Sequence, residues 1–564
     1  MATLPLTLRT SMLQACDQSR LRGNVCVAST ATNSDLYSTF EKWKSARALL
    51  STAVRVYLAA STSLQSACIL PATKASERDL TKDIMLAIDS ELKPLEDEEL
   101  SLREMRVSLV AIRNSSPALA LVNRLPPEIL ASIFTLSKMH CFHDNGSKSS
   151  FHNLTGVCTY WRSIAITLPG MWNHIDVGPD TPLAVTNLLL ERTGHQAIHL
   201  HVHEPRPPND LPTAENKVAE VLNILECHGK RVRTLDLETY SYSRSLVGPV
   251  LNRWLSVGNN NTTKTLLVYR PKAGMMLTPE GYNTNMTLAS RSENANAALG
   301  HLTKLHLQNV RFDWDSRAYR NLVDLQLSCF CNPTSISMPE FMSILSENPR
   351  LAILKLSSLR ITSPDDWVCR APITMSALRI LNLFHIDGDG LRLLLPSIRL
   401  PTSPIEVGIG PAPFGQVYNE LESFLANTQL ISFYCWQDKT EPFPGWVSML
   451  RLAPYLRNLV MDELQMTDKL FAETNTGGPQ AFSRPHLDCA IFLDSDLTLN
   501  GLKALVDVCG IRSLRLERCR PPADESGGME DIRASLTEAY PDLECIVSDQ
   551  ATTGQLEYCK IFER

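Results

Sequence analysis

Three groups of histidine and cysteine stand close enough in this chain to suggest chemistry, and their spacing decides which chemistry is open to them. His140, Cys141 and His143 could ligate zinc, but no second pair follows at finger spacing, so they read as loop residues. His199, His201 and His203 alternate, which on a strand puts all three on one face. Such a row could hold a metal, yet a solvated outer face is the simpler reading. Cys329 and Cys331 are too close together for a zinc knuckle. No phosphate-binding G-x-x-x-x-G-K-[ST], no H-E-x-x-H and no G-x-S-x-G occurs. The residues therefore point to no catalytic site, no metal and no cofactor, and the expectation is a protein that binds rather than converts.

Bulk composition narrows the classes further. The 564 residues are 44% apolar and 20% charged, as in ordinary folded chains, and suffice for several domains or a repeat array. Lys and Arg number 54 against 60 Asp and Glu, a net charge of -6 without a long basic run, so nucleic acid is not an expected partner. The 15 cysteines are odd in number and scattered, which suits a reducing compartment. The N-terminal stretch MATLPLTLRTSMLQACDQSR lacks a basic segment followed by an apolar run, and no membrane-length apolar stretch follows elsewhere. Neither secretion nor a membrane is expected, and the cytoplasm or nucleus is the expected location. On that route the sequons at Asn153 and Asn285 carry no meaning.

The elements that would carry a binding surface can be read in turn. Residues 1–35, rich in Ser and Thr, read as a flexible tail. Across 36–120 the apolar residues fall at helical spacing: Leu36, Phe40, Trp43, Leu50, Val54 and Tyr57, then Leu80, Ile84, Ile88, Leu92 and Leu95, broken at Pro94, then Leu102, Met105, Leu109 and Ile112. This predicts a helical hairpin or small bundle whose stripes pack on a neighbour, with a coiled-coil seam as the alternative.

Beyond residue 170 the period changes. The spacing Φ-x-x-Φ-x-Φ recurs at Val232/Leu235/Leu237, Leu302/Leu305/Leu307, Leu322/Leu325/Leu327, Leu351/Leu354/Leu356, Leu378/Leu381/Leu383, Leu456/Leu459/Met461 and Ile511/Leu514/Leu516. Weaker copies begin at Trp172, Thr263, Pro404 and Leu430, and the starts at 378, 404, 430 and 456 are each 26 residues apart. That period lies in the leucine-rich-repeat range and predicts short parallel strands, one per coil, stacked into an α/β solenoid over 174–564. Helix-like stretches at Pro339–Leu345 and Gly501–Val508 would alternate with the strands. Turn-rich segments at 204–212, 271–300, 474–480 and 520–529 read as insertions. If the strand face holds a partner, Asp236, His306, Gln326, Lys355, Asn382 and Arg515 would present themselves to it, although most such positions are ordinarily solvated.

Between these regions, residues 121–173 are the most informative. Pro126 and Pro127 suit the first turn of a helix, with Glu128 complementing its dipole. Leu125, Ile129, Ile133 and Phe134 would line one face with Leu130 alongside, and a second run would gather Val157, Trp161, Ile164 and Ala165. The ordered set Leu125-Pro126-Pro127-Glu128-Ile129-Leu130, Ile133-Phe134, Val157-Cys158-x-x-Trp161-Arg162 and Met171-Trp172 resembles the F-box. Residues 138–152 are longer and more polar than a compact box needs, and Met171 stands where the pattern has leucine. The whole plan is similar to that of F-box proteins with degenerate leucine-rich repeats abundant in mushroom-forming fungi.

The resemblance implies an α/β chain made of a helical hairpin, a small all-helical F-box and a leucine-rich-repeat-like solenoid. It also implies a function, that of a non-catalytic substrate receptor of an SCF-type ubiquitin ligase. The box would bind the adaptor Skp1, and through it a cullin scaffold, by Leu125, Pro126, Ile129, Leu130, Ile133, Phe134, Val157, Cys158 and Trp161, some of which must also close the box internally. The repeats would hold the target protein. Two alternatives stay open: a cullin-independent Skp1-binding scaffold, and a leucine-rich structural interaction protein whose box is degenerate.

Overall fold

The computed structural model describes residues 33–68, 75–116, 119–141, 150–204, 211–239, 247–256, 262–269, 286–288, 293–329, 335–364, 371–410, 417–426, 428–436, 450, 453–466, 486–522 and 527–549. The tail expected over 1–35 lies almost wholly outside these residues, as do His143, Cys331 and most of the expected insertions. Two compact units divide the chain, Met1–Ile112 and Arg113–Arg564.

The first unit is helical, formed by α1 (Asn33–Cys68) and by α2 (Ala75–Ser115), whose last residues belong to the second unit. The expected break at Pro94 is absent, and α2 runs through it. Proline removes one helical hydrogen bond at a cost of about 3 kcal/mol, but in a helix this exposed the freed carbonyl meets water and flanking Glu, Leu and Lys favour helix. The stripes do not cover one another. Leu50, Val54, Tyr57, Leu92, Leu102, Met105 and Ile112 are all exposed.

The second unit opens with three short helices, α3 (Pro127–Cys141), α4 (Ser150–Val157) and α5 (Thr159–Thr167). A 14-stranded sheet follows. Its strands are β1 (His174–Val177), β2 (Ile198–His203), β3 (Val232–Glu238), β4 (Thr265–Tyr269), β5 (Lys304–Gln308), β6 (Asp324–Ser328) and β7 (Ile353–Ser357). They continue as β8 (Ile380–Phe384), β9 (Ile405–Gly410), β10 (Leu430–Trp436), β11 (Asn458–Asp462), β12 (Cys489–Leu493), β13 (Ser513–Glu517) and β14 (Glu544–Ser548). Spatial order equals chain order, neighbouring strands pair in parallel, and among the described residues β1 and β14 end the sheet without pairing to each other, so the sheet is open rather than a closed barrel.

Eleven of these strands carry the apolar triplets seen in the sequence, and the triplet leucines are buried in one continuous core. The strands β2, β12 and β14 escaped that pattern. In β2 the buried set Ile198, Leu200 and Val202 is broken by histidines, and in β12 Ala490 fills a position usually taken by leucine. Helices return between strands, among them α6 (Leu183–Arg192), Met338–Ser346 and Leu499–Cys509, and the last two coincide with the helical stretches expected from sequence.

The turn that takes the chain off the sheet repeats. Asn309, Ser358, His385, Glu463, Asp494 and Arg518 each follow a strand directly and adopt left-handed backbone, with φ between 46° and 56°. Each still extends the ladder, for example His385 N–H to Gly410 O (2.9 Å) and Asp494 N–H to Glu517 O (3.1 Å). A left-handed non-glycine residue costs about 1–2 kcal/mol, which the retained hydrogen bond offsets.

Candidate functional site

Two surfaces of the second unit gather the residues singled out in the sequence. The first is the trio α3–α5. Along α3 the apolar residues divide into two stripes. Leu130 and Phe134, both 0% exposed, point inward to Ile164, Ala165, Met171 and Trp172, with Leu125 packed at the margin. Ile129 (47% exposed) and Ile133 (40%) point outward, together with Leu136 and, at the end of α4, Val157 (41%). The expected single face of Leu125, Ile129, Ile133 and Phe134 is therefore corrected. On a helix, positions 130 and 134 share one line and 129 and 133 the next, and only the first meets α5. Val157 likewise separates from Trp161, Ile164 and Ala165, because the helix breaks at Cys158.

Polar contacts fix that break. Cys158 is buried and caps α5, its Sγ accepting from Trp161 N–H at 3.4 Å. The Trp161 ring lies 5.0 Å from Phe134, and its Nε1–H donates to Asn123 Oδ1 at 2.8 Å. Asn123, itself buried, donates in turn to the Asn114 carbonyl (2.6 Å), and Asn114 Nδ2 donates to the Val157 carbonyl (3.3 Å). Trp172 Nε1–H closes the trio on Ala165 O at 2.9 Å, with the Arg192 guanidinium 4.4 Å from its ring centroid. Of the nine residues expected to dock an adaptor, Leu130, Phe134 and Cys158 are internal, Leu125 and Trp161 are half-buried, and Pro126, Ile129, Ile133 and Val157 are exposed.

The second surface is the sheet face turned away from the core. The six residues expected to present themselves there lie on one register row. His306 stands opposite Gln326, Gln326 opposite Lys355, and Lys355 opposite Asn382. Asp236 joins the row through Leu267, and Arg515 through Gly408, Tyr434, Val460 and Ile491. An ordinary solvated row is not what forms, because His306, Lys355 and Asn382 are buried. Strands at about 4.8 Å spacing crowd long side chains against one another.

Charge organises the middle of this face. Asp324 Oδ2 lies 3.0 Å from Lys304 Nζ and 3.0 Å from His306 Nε2. Burial alone would raise the Asp324 carboxyl, but His306 and Lys304 outweigh it and hold the group at about 2. Burial pushes the Lys355 ammonium down to about 8 despite nearby Asp324.

Further along, over β8–β12, the same face turns apolar, a feature the sequence reading missed. Tyr434, Val460, Ile491 and Leu493 form a buried cluster separate from the main core, with Phe384 and Trp436 packed against it. The rings of Phe384 and Tyr434 meet edge-on at 5.3 Å, and His385 meets Trp436 at 4.8 Å. Tyr434 donates to Asp462 Oδ2 at 2.7 Å, while burial, with Asp494 and Glu463 nearby, raises the Asp462 carboxyl to about 6. The available signal was the sequence of β10, LISFYCW, and β12, CAIFL, which are apolar at both alternations where a one-faced strand would alternate.

No protein-family model matches the chain, and no curated protein matches it. Among the described residues no helix is long and apolar enough to cross a membrane.

Proposed function

We propose that this chain is a non-catalytic substrate receptor of an SCF-type ubiquitin ligase, with an F-box over 121–173 that binds Skp1 and, through it, a cullin. In this reading 174–564 is a leucine-rich-repeat-like solenoid that holds the target protein. Chain-order stacking of parallel strands, one after each helix or turn, supports the solenoid. The two-zone outer face, charged over β5–β7 and apolar over β8–β12, supports recognition of a specific protein partner rather than a generic electrostatic target.

The observation that carries the adaptor reading is the division of the F-box-like apolar residues into two sets. One set closes the trio, and the other, Ile129, Ile133 and Val157, remains exposed although burial of such side chains is worth about 1.5–3 kcal/mol each. A partner that covers them gains that burial.

Co-expression with Skp1 and a cullin tests it. The wild type should recover both, and Ile129→Glu with Ile133→Glu should reduce recovery at least tenfold while leaving the melting temperature unchanged, since neither side chain is internal. Skp1 recovered without cullin would favour the cullin-independent scaffold. No Skp1 from the wild type would leave a leucine-rich interaction protein with a degenerate box.

A further inference from the structure

At the β1 edge the sheet brings together side chains that the sequence keeps 25 and 27 residues apart. Asp176 on β1 and His201 on β2 are register partners, and His203, two residues on, faces the same side. One oxygen of Asp176, Oδ1, lies 3.0 Å from His201 Nδ1 and 3.0 Å from His203 Nδ1. The three donor atoms lie within 4.8 Å of one another, and all three residues are half-buried. Zinc bonds of about 2.0–2.2 Å to nitrogen and carboxylate oxygen give donor separations of roughly 3.3–3.6 Å in a tetrahedron, near the two Asp176–histidine separations.

We propose that a zinc-class divalent metal ion binds between the Asp176 carboxylate, His201 Nδ1 and His203 Nδ1, leaving one coordination position open on the outer face of the sheet. The assignment is independent of the ubiquitin-ligase reading and reverses the sequence expectation of a merely solvated histidine row. The donor set, two imidazoles and one carboxylate, suits zinc over the hard, all-oxygen cations.

Two further features fit it. His201 Nε2 lies 3.5 Å from Glu238 Oε2 on β3, so a carboxylate stands behind a ligating imidazole, the arrangement that orients such rings and strengthens them as donors. The His203 ring folds back over β1 because residue 178 is glycine, where any Cβ would overlap that ring. The rings of His201 and His203 then stack at 5.3 Å and 22°, with both Nδ1 atoms aimed at the same oxygen.

The test is calorimetric titration of the full chain, stripped with chelator, against zinc chloride, with cobalt(II) absorption as a second readout. One ion per chain is expected, bound at least tenfold more weakly by Asp176→Asn and by His203→Asn. Gly178→Ala, which keeps every ligand but displaces the His203 ring, should also weaken it, whereas His199→Asn should not. Cobalt should show d–d bands without thiolate charge transfer, separating this site from any built on cysteine. Variants are compared only after matching circular dichroism, and His203→Asn alone suffices if Asp176→Asn does not fold. Absence of zinc uptake, or uptake unaffected by both ligand changes, would overturn the proposal.

Discussion

Leu130 and Ile129 are adjacent apolar residues of one helix, yet their substitution should have opposite consequences. Leu130→Ala opens a cavity between α3 and α5 and should cost about 3 kcal/mol, read as a fall in the denaturant midpoint. Ile129→Ala should leave that midpoint almost unmoved and show itself only in partner recovery. Asp324 offers a pH-dependent case. Its carboxyl stands at about 2 in the folded chain against an ordinary 3.8, so its stabilisation is complete above the higher value and is lost as pH falls through the lower. Asp324→Asn should therefore reduce stability above pH 4 and remove the corresponding slope between pH 4 and pH 2, measured by denaturation across that range. The residue types at these positions were legible in the chain. The pairing of Asp324 with Lys304 and His306 was not, since it depends on which strand lies beside which.

At the scale of the element, local chemistry explains most boundaries. Ser337 and Glu340 form a capping box that starts Met338–Ser346, and Thr498 caps Leu499–Cys509, both ordinary helix signals. The turn after each strand is less local. Ser358 is held at φ 56°, so Ser358→Gly should be tolerated, whereas the β-branched Ser358→Val should lose more than about 1 kcal/mol in equilibrium unfolding. Asn348 secures a longer-range connection. Fully buried, it receives Leu322 N–H (2.6 Å) and donates to the carbonyls of Tyr319 and Ile344 (both 2.6 Å), tying the approach to β6 to the end of the following helix. Nothing in its own neighbourhood of sequence marked it, because two of its partners are 26 and 29 residues away.

Over the whole sheet, each strand pairs only with its chain neighbours, so stability is passed along from coil to coil. Interior strands such as β7 bury their central residues, while β14 pairs on one edge among the described residues and has no fully buried residue. Amide hydrogen exchange should accordingly be at least tenfold faster in β14 than in β7, and equal protection of the two would contradict this nearest-neighbour account. At the other end the trio joins the sheet through Leu189, which packs against both the trio and the main core. Perturbing α6 should therefore register in α3–α5 as well as in β1.

The periodicity of Leu, Ile and Val by itself determined the helices before residue 116, the strands over most of 174–548 and the mixed α/β class, because apolar residues recur at the period of the element that carries them. The ordered F-box-like residues were equally plain in the chain. Only the tertiary structure decided which of them turn inward, that the outer sheet face turns apolar over β8–β12, and that Asp176 meets His201 and His203. Those outcomes depend on register between strands and on what packs across a helix. Both are fixed by contacts between residues tens of positions apart, about which the local pattern says nothing.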